Sequence, residues 1–155
     1  IDSRRGSWFF IGILLTTALF QPDEPAVGGC GTCKACVEAC PTGAIVHEDG
    51  RWQVDARRCI SYQTIERQGP LEVDTHGWTF GCDVCQEVCP FNAHAPVSAD
   101  PAWQPRAVWD RPSSTTLAAM PDADLRAALA NSAMTRARKA GLRRNFAVAA
   151  EQASR

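Results

Sequence analysis

Eight cysteines carry most of the chemistry open to this chain, and their spacing says more than their number. The first run is Cys30-x2-Cys33-x2-Cys36-x3-Cys40, followed at once by Pro41 and Thr42-Gly43-Ala44-Ile45. Three thiolates at successive x2 spacing aim their sulfurs around one corner of an iron–sulfur cube. A fourth, one helical turn further on, points away and serves a different cube. Pro41 stops a helix after Cys40, and Gly43 permits the reversal that follows. A second copy, Cys82-x2-Cys85-x3-Cys89-Pro90, aligns with Cys33 to Pro41 at a constant offset of 49. Duplication of a ligand set implies two equivalent sites. The second copy has Thr79 where an earlier cysteine would stand, so Cys59 is left to complete it. The expected ligands are Cys30, Cys33, Cys36 and Cys89 for one 4Fe–4S cluster, and Cys40, Cys59, Cys82 and Cys85 for the other. No thiol remains over.

Two other uses of cysteine compete. Disulfides fit poorly, because x2 spacing inside a three-cysteine run cannot satisfy most pairings. Zinc also uses C-x2-C pairs, but its sites do not need a crossing C-x2-C-x2-C-x3-C-P run. A cube with four cysteine ligands has no open coordination position, so it moves single electrons and does not itself bind substrate.

The elements that must hold these sulfurs are short. Each Cys-Pro copy reads as one helical turn. The chain of 155 residues suits one small domain carrying an extension. The expected fold class is α+β: a two-cluster ferredoxin-like domain followed by a helical C-terminal extension. The expected boundaries are 1–29 for a remnant of a preceding domain with its linker, 30–95 for the cluster domain, and 96–155 for a Pro-rich loop and α-helical tail. In that tail, Ser113 to Thr116 offer N-caps before Leu117–Met120, Pro121 marks a break, and a helix from Asp122 or Ala123 runs through Asn131. A last helical segment, Ser132 to Gln152, is interrupted at Gly141 and carries a shallow apolar stripe of Ala147, Val148 and Ala150.

The start of the chain is apolar. Arg4 and Arg5 precede the run Trp8 to Phe20, which looks superficially like a signal peptide. The run contains Gly12, Thr16 and Thr17, lacks a small-x-small cleavage site, and falls short of the roughly 20 residues a bilayer span needs. No membrane association is expected; the run reads as a buried strand or strand–helix piece of a larger core. Because the chain opens on Ile1 rather than Met, part of that core is expected upstream.

A formal net charge of −1 excludes a uniformly basic nucleic-acid binder, yet it conceals an asymmetry. Seven Lys or Arg face one acid, Glu151, between Arg126 and Arg155, whereas acids dominate Gln21 to Asp55. Contact with an anionic polymer would use the C-terminal end.

The residues between the cysteines resemble epoxyqueuosine reductase. The resemblance rests on Gly6-Ser7-Trp8-Phe9-Phe10-Ile11-Gly12, Cys40-Pro41-Thr42-Gly43-Ala44-Ile45, Val54 to Tyr62 around Cys59, Thr64-Ile65-Glu66, Gly69-Pro70, Phe80-Gly81-Cys82-Asp83-x-Cys85-Gln86, Arg136-Ala137-Arg138 and Gly141-Leu142-Arg143-Arg144-Asn145. It implies reduction of epoxyqueuosine to queuosine at the tRNA wobble base, with electrons passing through two 4Fe–4S clusters to cobalamin. A cobalamin-binding domain would precede this chain and carry the acidic proton donor, so no catalytic residue is expected here. By the same resemblance Ser61, Cys82 and Asp83 lie against cobalamin, with Ile11 contributing, and Glu66, Arg67 and Gln68 lie where tRNA approaches. The plainer readings are a capping role for Ser61 and a solvated carboxylate for Asp83. A reduced flavodoxin or ferredoxin-type donor, a monomer and a cytoplasmic location are further implications. Ile13 departs from the family, which has an acidic residue there, and longer members continue beyond Gln152 with more helical repeats. The rival function is a two-cluster ferredoxin-type carrier subunit of another oxidoreductase.

Several residues invite over-reading. His47, His76 and His94 have no linking spacing, and the cysteines already fill both sites. Trp103 and Trp109 are expected to pin the Pro-rich loop to the core, with base stacking as the alternative. Arg136, Arg138, Lys139, Arg143 and Arg144 form a basic face, either solvated or on phosphate.

Overall fold

The structure, a computed structural model, describes residues 1–2, 5–25 and 29–154. Arg4, the centre of the linker at 26–28, and Arg155 of the basic tail lie outside the described residues. The chain combines short helices with one small antiparallel hairpin. In order these are α1 (Ala35–Ala39), β1 (Ile45–Glu48), β2 (Arg51–Val54), a 3-10 turn (Ala56–Arg58), a π-turn (Tyr62–Glu66), α2 (Val84–Glu87), α3 (Ser114–Ala119), α4 (Asp122–Leu129), a 3-10 turn (Ala133–Ala137) and α5 (Arg138–Ala153). Three further 3-10 turns begin at Pro90, Pro101 and Ala107.

The two Cys-Pro copies fold alike, and the cause is local. α1 ends at Cys40 (φ −64°, ψ 115°), and the matching residue Cys89 has φ −69° and ψ 120°. Proline clashes with a helical residue before it, so both cysteines are pushed into extended backbone. α1 packs against α2, which sets the two copies face to face. After Cys40 the chain reverses at Gly43 (φ +57°), where a β-carbon would lie 2.9 Å from Arg58 Nη2. That guanidinium donates to the Thr42 carbonyl at 2.9 Å and closes the turn.

The hairpin follows from Asp49-Gly50. Both residues have positive φ (51° and 74°), as a two-residue primed turn requires. It pairs Ile45 with Val54 and Glu48 with Arg51. Sequence reading passed over it, although an Asp-Gly step between β-prone residues is the usual signal.

The main apolar core lies in the tail. Leu117, Leu125, Leu129, Ala137, Leu142 and Phe146 form it, with Phe80 entering from the cysteine region and Trp109 from the Pro-rich loop. Trp109 therefore pins its loop as expected. Trp103 does not; it is largely exposed and stacks on Phe10 at 5.9 Å. Ser113 caps α3 by accepting from Thr116 N–H at 3.0 Å. α4 starts at Asp122 but stops at Leu129, short of Asn131, whose positive φ (53°) belongs to the turn.

Two expectations for the last helix need correction. The backbone break falls at Arg138 (φ 56°), and Gly141 sits inside an uninterrupted α5. The buried face is Leu142, Asn145, Phe146 and Ala149, while Ala147 is exposed. A polar residue at 145 had disguised a stripe of i, i+3, i+4 and i+7 spacing.

The apolar N-terminal run is likewise neither strand nor helix, and it is not buried: Leu15 is 90% exposed and Leu19 fully so. A strand needs a neighbouring ladder, and no described strand lies beside it. The residues just before it are nonetheless docked. Gly6 has φ +77°, and a β-carbon there would run into Asn92 and lie 2.8 Å from the Phe91 carbonyl. Ser7 N–H donates to Asn92 Oδ1 at 2.7 Å. No described helix is long and apolar enough to cross a membrane.

Gly141 tests the α5 assignment. An added β-carbon meets only ordinary contacts at 3.9 Å. Gly141→Ala should therefore stabilise the protein by about 0.5–1 kcal/mol, the usual gain inside a helix, and raise its melting temperature. A lower one would restore the break at this position.

Candidate metal centres

The cysteines gather into two groups of four. One cavity, of about 240 Å³, is lined by Cys30, Cys33, Cys36 and Cys89, with Ile45 and Phe91 on its apolar wall. A tighter one is lined by Cys40, Cys59, Cys82 and Cys85, together with Ala44 and Ile60. Cys85 also reaches the wall of the first, so the two cavities share a partition. All eight thiols are free of disulfides; Cys30 and Cys33 are exposed and the other six half-buried. Sequence-distant residues meet in each group, because α1 lies on α2 and because the 3-10 turn at Ala56–Arg58 carries Cys59 inward.

Electrostatics follow the same grouping. Burial raises the Cys36 thiol, and the neighbouring Cys30 and Cys89 add to the rise. Burial also raises Cys82, with Cys59, Cys40 and Asp83 contributing. Cys85 is raised by burial and by Cys82, Cys59 and Asp83. Cys40 behaves differently. Burial works against its thiolate, but hydrogen bonds from Ala44, Thr42 and Ile45 outweigh it and lower the value. The Ala44 N–H reaches Cys40 Sγ at 3.2 Å. Half-buried thiols that stand beside one another, as Cys36, Cys82 and Cys85 do, favour a cationic guest that neutralises them. Four thiols lining each cavity fit a polynuclear cluster, which takes one cysteine sulfur at each iron. His47 instead packs its ring on Trp52 at 4.9 Å.

Ser61 does not cap the turn that follows it. Its hydroxyl accepts from Cys82 N–H at 2.9 Å and donates to the Cys82 carbonyl at 3.3 Å. It therefore holds a candidate ligand by both backbone groups. Asp83 is exposed, precedes α2 and makes no capping bond. Ile11 is 83% exposed on the extended N-terminal run.

Sequence reading missed the polar interior behind Ser61. Gln63, Thr64 and Asn145 are fully buried. Gln63 donates to the Arg57 carbonyl at 2.5 Å and accepts from Glu72 N–H at 3.1 Å. Thr64 lies within the π-turn, a form enriched at functional positions. The Arg144-Asn145 step of the tail was the available signal, since adjacent Arg and Asn on a core-facing helix need buried acceptors.

The basic face is mostly engaged within the chain. Arg136 pairs with Glu66, Lys139 with Asp122 at 2.5 Å, and Arg143 with Asp122 at 2.8 Å. Arg144 donates to the carbonyls of Gln63, Arg67 and Gly69 and to Asn145 Oδ1, so it works as an internal brace. Arg67 is held by Glu72 and the Pro70 carbonyl, and Gln68 donates to the Glu66 carbonyl. Arg138 remains an exposed cation on this face.

Residues 29–92 match the family described as a 4Fe-4S double cluster binding domain. An epoxyqueuosine reductase of Synechococcus sp. (strain RCC307) is 53% identical over 108 residues, covering 68% of this chain and 33% of that protein. One from Gloeobacter violaceus is 40% identical over 154 residues, covering 94% and 47%. The chain belongs to the epoxyqueuosine reductase family. It spans about a third to a half of the length of these curated relatives. A crystal structure of epoxyqueuosine reductase with an epoxyqueuosine-modified tRNA-Tyr stem loop superposes with a TM-score of 0.69 at 31% identity, covering 84% of this chain and 35% of the other. The match at residues 29–92 supports iron–sulfur clusters in the cysteine region.

The tail's ion pairs make a pH prediction. Hydrogen bonds from Lys139 and Arg143 hold the Asp122 carboxyl down at about 2. A depressed folded-state value gives stability that is present above the unfolded value and lost as pH falls through the folded one. Asp122→Asn should melt below the parent at neutral pH, the gap closing as pH falls from about 4, the unfolded value, toward 2 and narrowing in salt. A gap independent of pH would contradict the pairing.

Proposed function

We propose that this chain is the electron-delivering and tRNA-docking part of a cobalamin-dependent epoxyqueuosine reductase, with a ferredoxin-like domain at 30–95 and a helical extension at 96–155. The observation that carries the reading is the crossed grouping of the cysteines, in which each Cys-Pro copy lends its last sulfur to the other's cavity. Cys30, Cys33, Cys36 and Cys89 would hold one 4Fe–4S cluster and Cys40, Cys59, Cys82 and Cys85 the other. Bound cobalamin would supply the strongly reducing centre for removing the epoxide oxygen. Two electrons and two protons convert the epoxide to the cyclopentene and water.

The chain's own residues divide that work. Cys30 and Cys33 are exposed, which would leave the first site open to a flavodoxin or ferredoxin-type donor. Cys85 lines both cavities, an adjacency that favours single-electron hops between the two sites. Ser61 fixes the Cys82 backbone, and Asp83 follows it on the exposed surface, so this loop is the side offered to cobalamin. The exposed run containing Ile11 supplies apolar surface for the same cofactor or its domain. The homologous structure with a tRNA stem loop supports RNA as substrate. Because Arg144 is internal, phosphate contact falls to Arg138 and to pairs such as Arg136–Glu66 that open when a stronger anion arrives. Modification of tRNA and metal-bound thiols both favour a cytoplasmic location, and a monomer suffices for this chemistry.

The test uses the full-length protein, assayed anaerobically on epoxyqueuosine-containing tRNA with cobalamin and a strong reductant. Formation of queuosine is expected. Reduction of other acceptors, but never this tRNA, would favour a ferredoxin-type carrier instead. Cys59→Ala should lower bound iron from about eight to about four per chain, one cluster's worth, and abolish turnover. Unchanged iron would remove Cys59 from the ligand set.

A further inference from the structure

One buried chain of hydrogen bonds runs from the tail helix to a candidate ligand. Asn145, on the core face of α5 and fully buried, donates through Nδ2 to the Thr64 carbonyl at 2.7 Å and to the Thr79 carbonyl at 2.8 Å. One amide thus bridges the π-turn and the loop leading into Cys82. Thr64 answers from the other side: its hydroxyl accepts from Gly81 N–H at 2.9 Å and donates to the Ile60 carbonyl at 2.8 Å. Ser61, one turn earlier, holds Cys82 itself. Arg144 locks the arrangement by donating to Asn145 Oδ1 at 3.0 Å and 2.9 Å, which fixes the amide with its nitrogen toward the two carbonyls.

Residues 79–82 have no helix or strand of their own. Their backbone is held by side chains from two other parts of the chain, one of them 66 residues away. Phe80, between the anchored carbonyl of Thr79 and the anchored N–H of Gly81, packs into the tail core. We infer that Thr64 and Asn145 are positioning residues for the second cluster: through the 79–82 loop the helical tail sets the orientation of Cys82 and the exclusion of water beside it, and thereby that cluster's reduction potential. Hydrogen bonding and solvent access around ligand sulfurs are established determinants of cluster potential. Neither residue touches the cluster; each acts through the backbone it holds. The inference rests on the ligand sets proposed above.

Thr64→Val keeps the shape and removes the hydroxyl that anchors Gly81. In full-length protein reconstituted anaerobically, both cluster potentials are measured by redox titration followed by electron paramagnetic resonance. The second cluster's signal is assigned by its loss in Cys59→Ala. Thr64→Val should retain about eight irons and shift the second potential upward, because water admitted beside the cluster stabilises its more negative reduced state. The first potential should stay in place, and Thr64→Ser should restore the parent value. Asn145→Ser, which keeps one donor, supplies the second measurement and should move the same potential in the same direction. Full iron with the second potential unmoved or lowered in both variants would overturn the inference alone. An iron-free parent protein would overturn the cluster reading with it.

Discussion

Between residues 29 and 95 the fully buried apolar side chains are Ala44 and Ile60. So small an interior cannot offset the conformational entropy of ordering a segment of that length. The hairpin is no remedy, since all four residues of β2 are exposed. What gathers in this segment is sulfur, eight thiols in two cavities separated by a shared partition. Ligation of a cluster in such a segment is folding free energy as well as cofactor binding. On the proposed ligand sets, the bonds that would carry electrons would also hold the chain together.

The tail supplies what the cysteine region lacks. Its leucines and Phe146 form a conventional core, and Phe80 joins that core from the loop before Cys82. Arg144 and Asn145 then reach back across the interface to five backbone carbonyls, those of Gln63, Thr64, Arg67, Gly69 and Thr79. Buried polar contacts of this kind must be satisfied together or they cost stability. The extension is thus fastened to the cysteine region by directional bonds as well as by apolar packing.

What the sequence disclosed, it disclosed locally. The exits at Cys40 and Cys89 follow from the proline after each, and the start of α3 follows from one serine. Such features depend on residues within a few positions of one another. The features that escaped depend on distance. Glu66 meets Arg136 from 70 positions away, so a face that reads as free positive charge is largely neutralised. Asn145 lies outside the apolar stripe expected for this helix, and its role shows only once the carbonyls it serves are folded against it. The π-turn has no signal in residue type, because it is stabilised by Gln63 and Thr64 bonding to parts of the chain that periodicity cannot reach. The apolar run from Trp8 is exposed among the described residues, and hydrophobicity predicts burial only where a partner surface is present.

Amide hydrogen exchange, compared between iron-loaded protein and the same protein after anaerobic chelation, tests most directly whether sulfur–metal bonds hold the cysteine region in place. Removing iron should strip protection from the backbone of residues 30–92 while α3, α4 and the Leu142–Phe146 turn of α5 keep theirs. Protection that survives chelation across both Cys-Pro copies would show that the fold stands without its clusters, and would contradict the account.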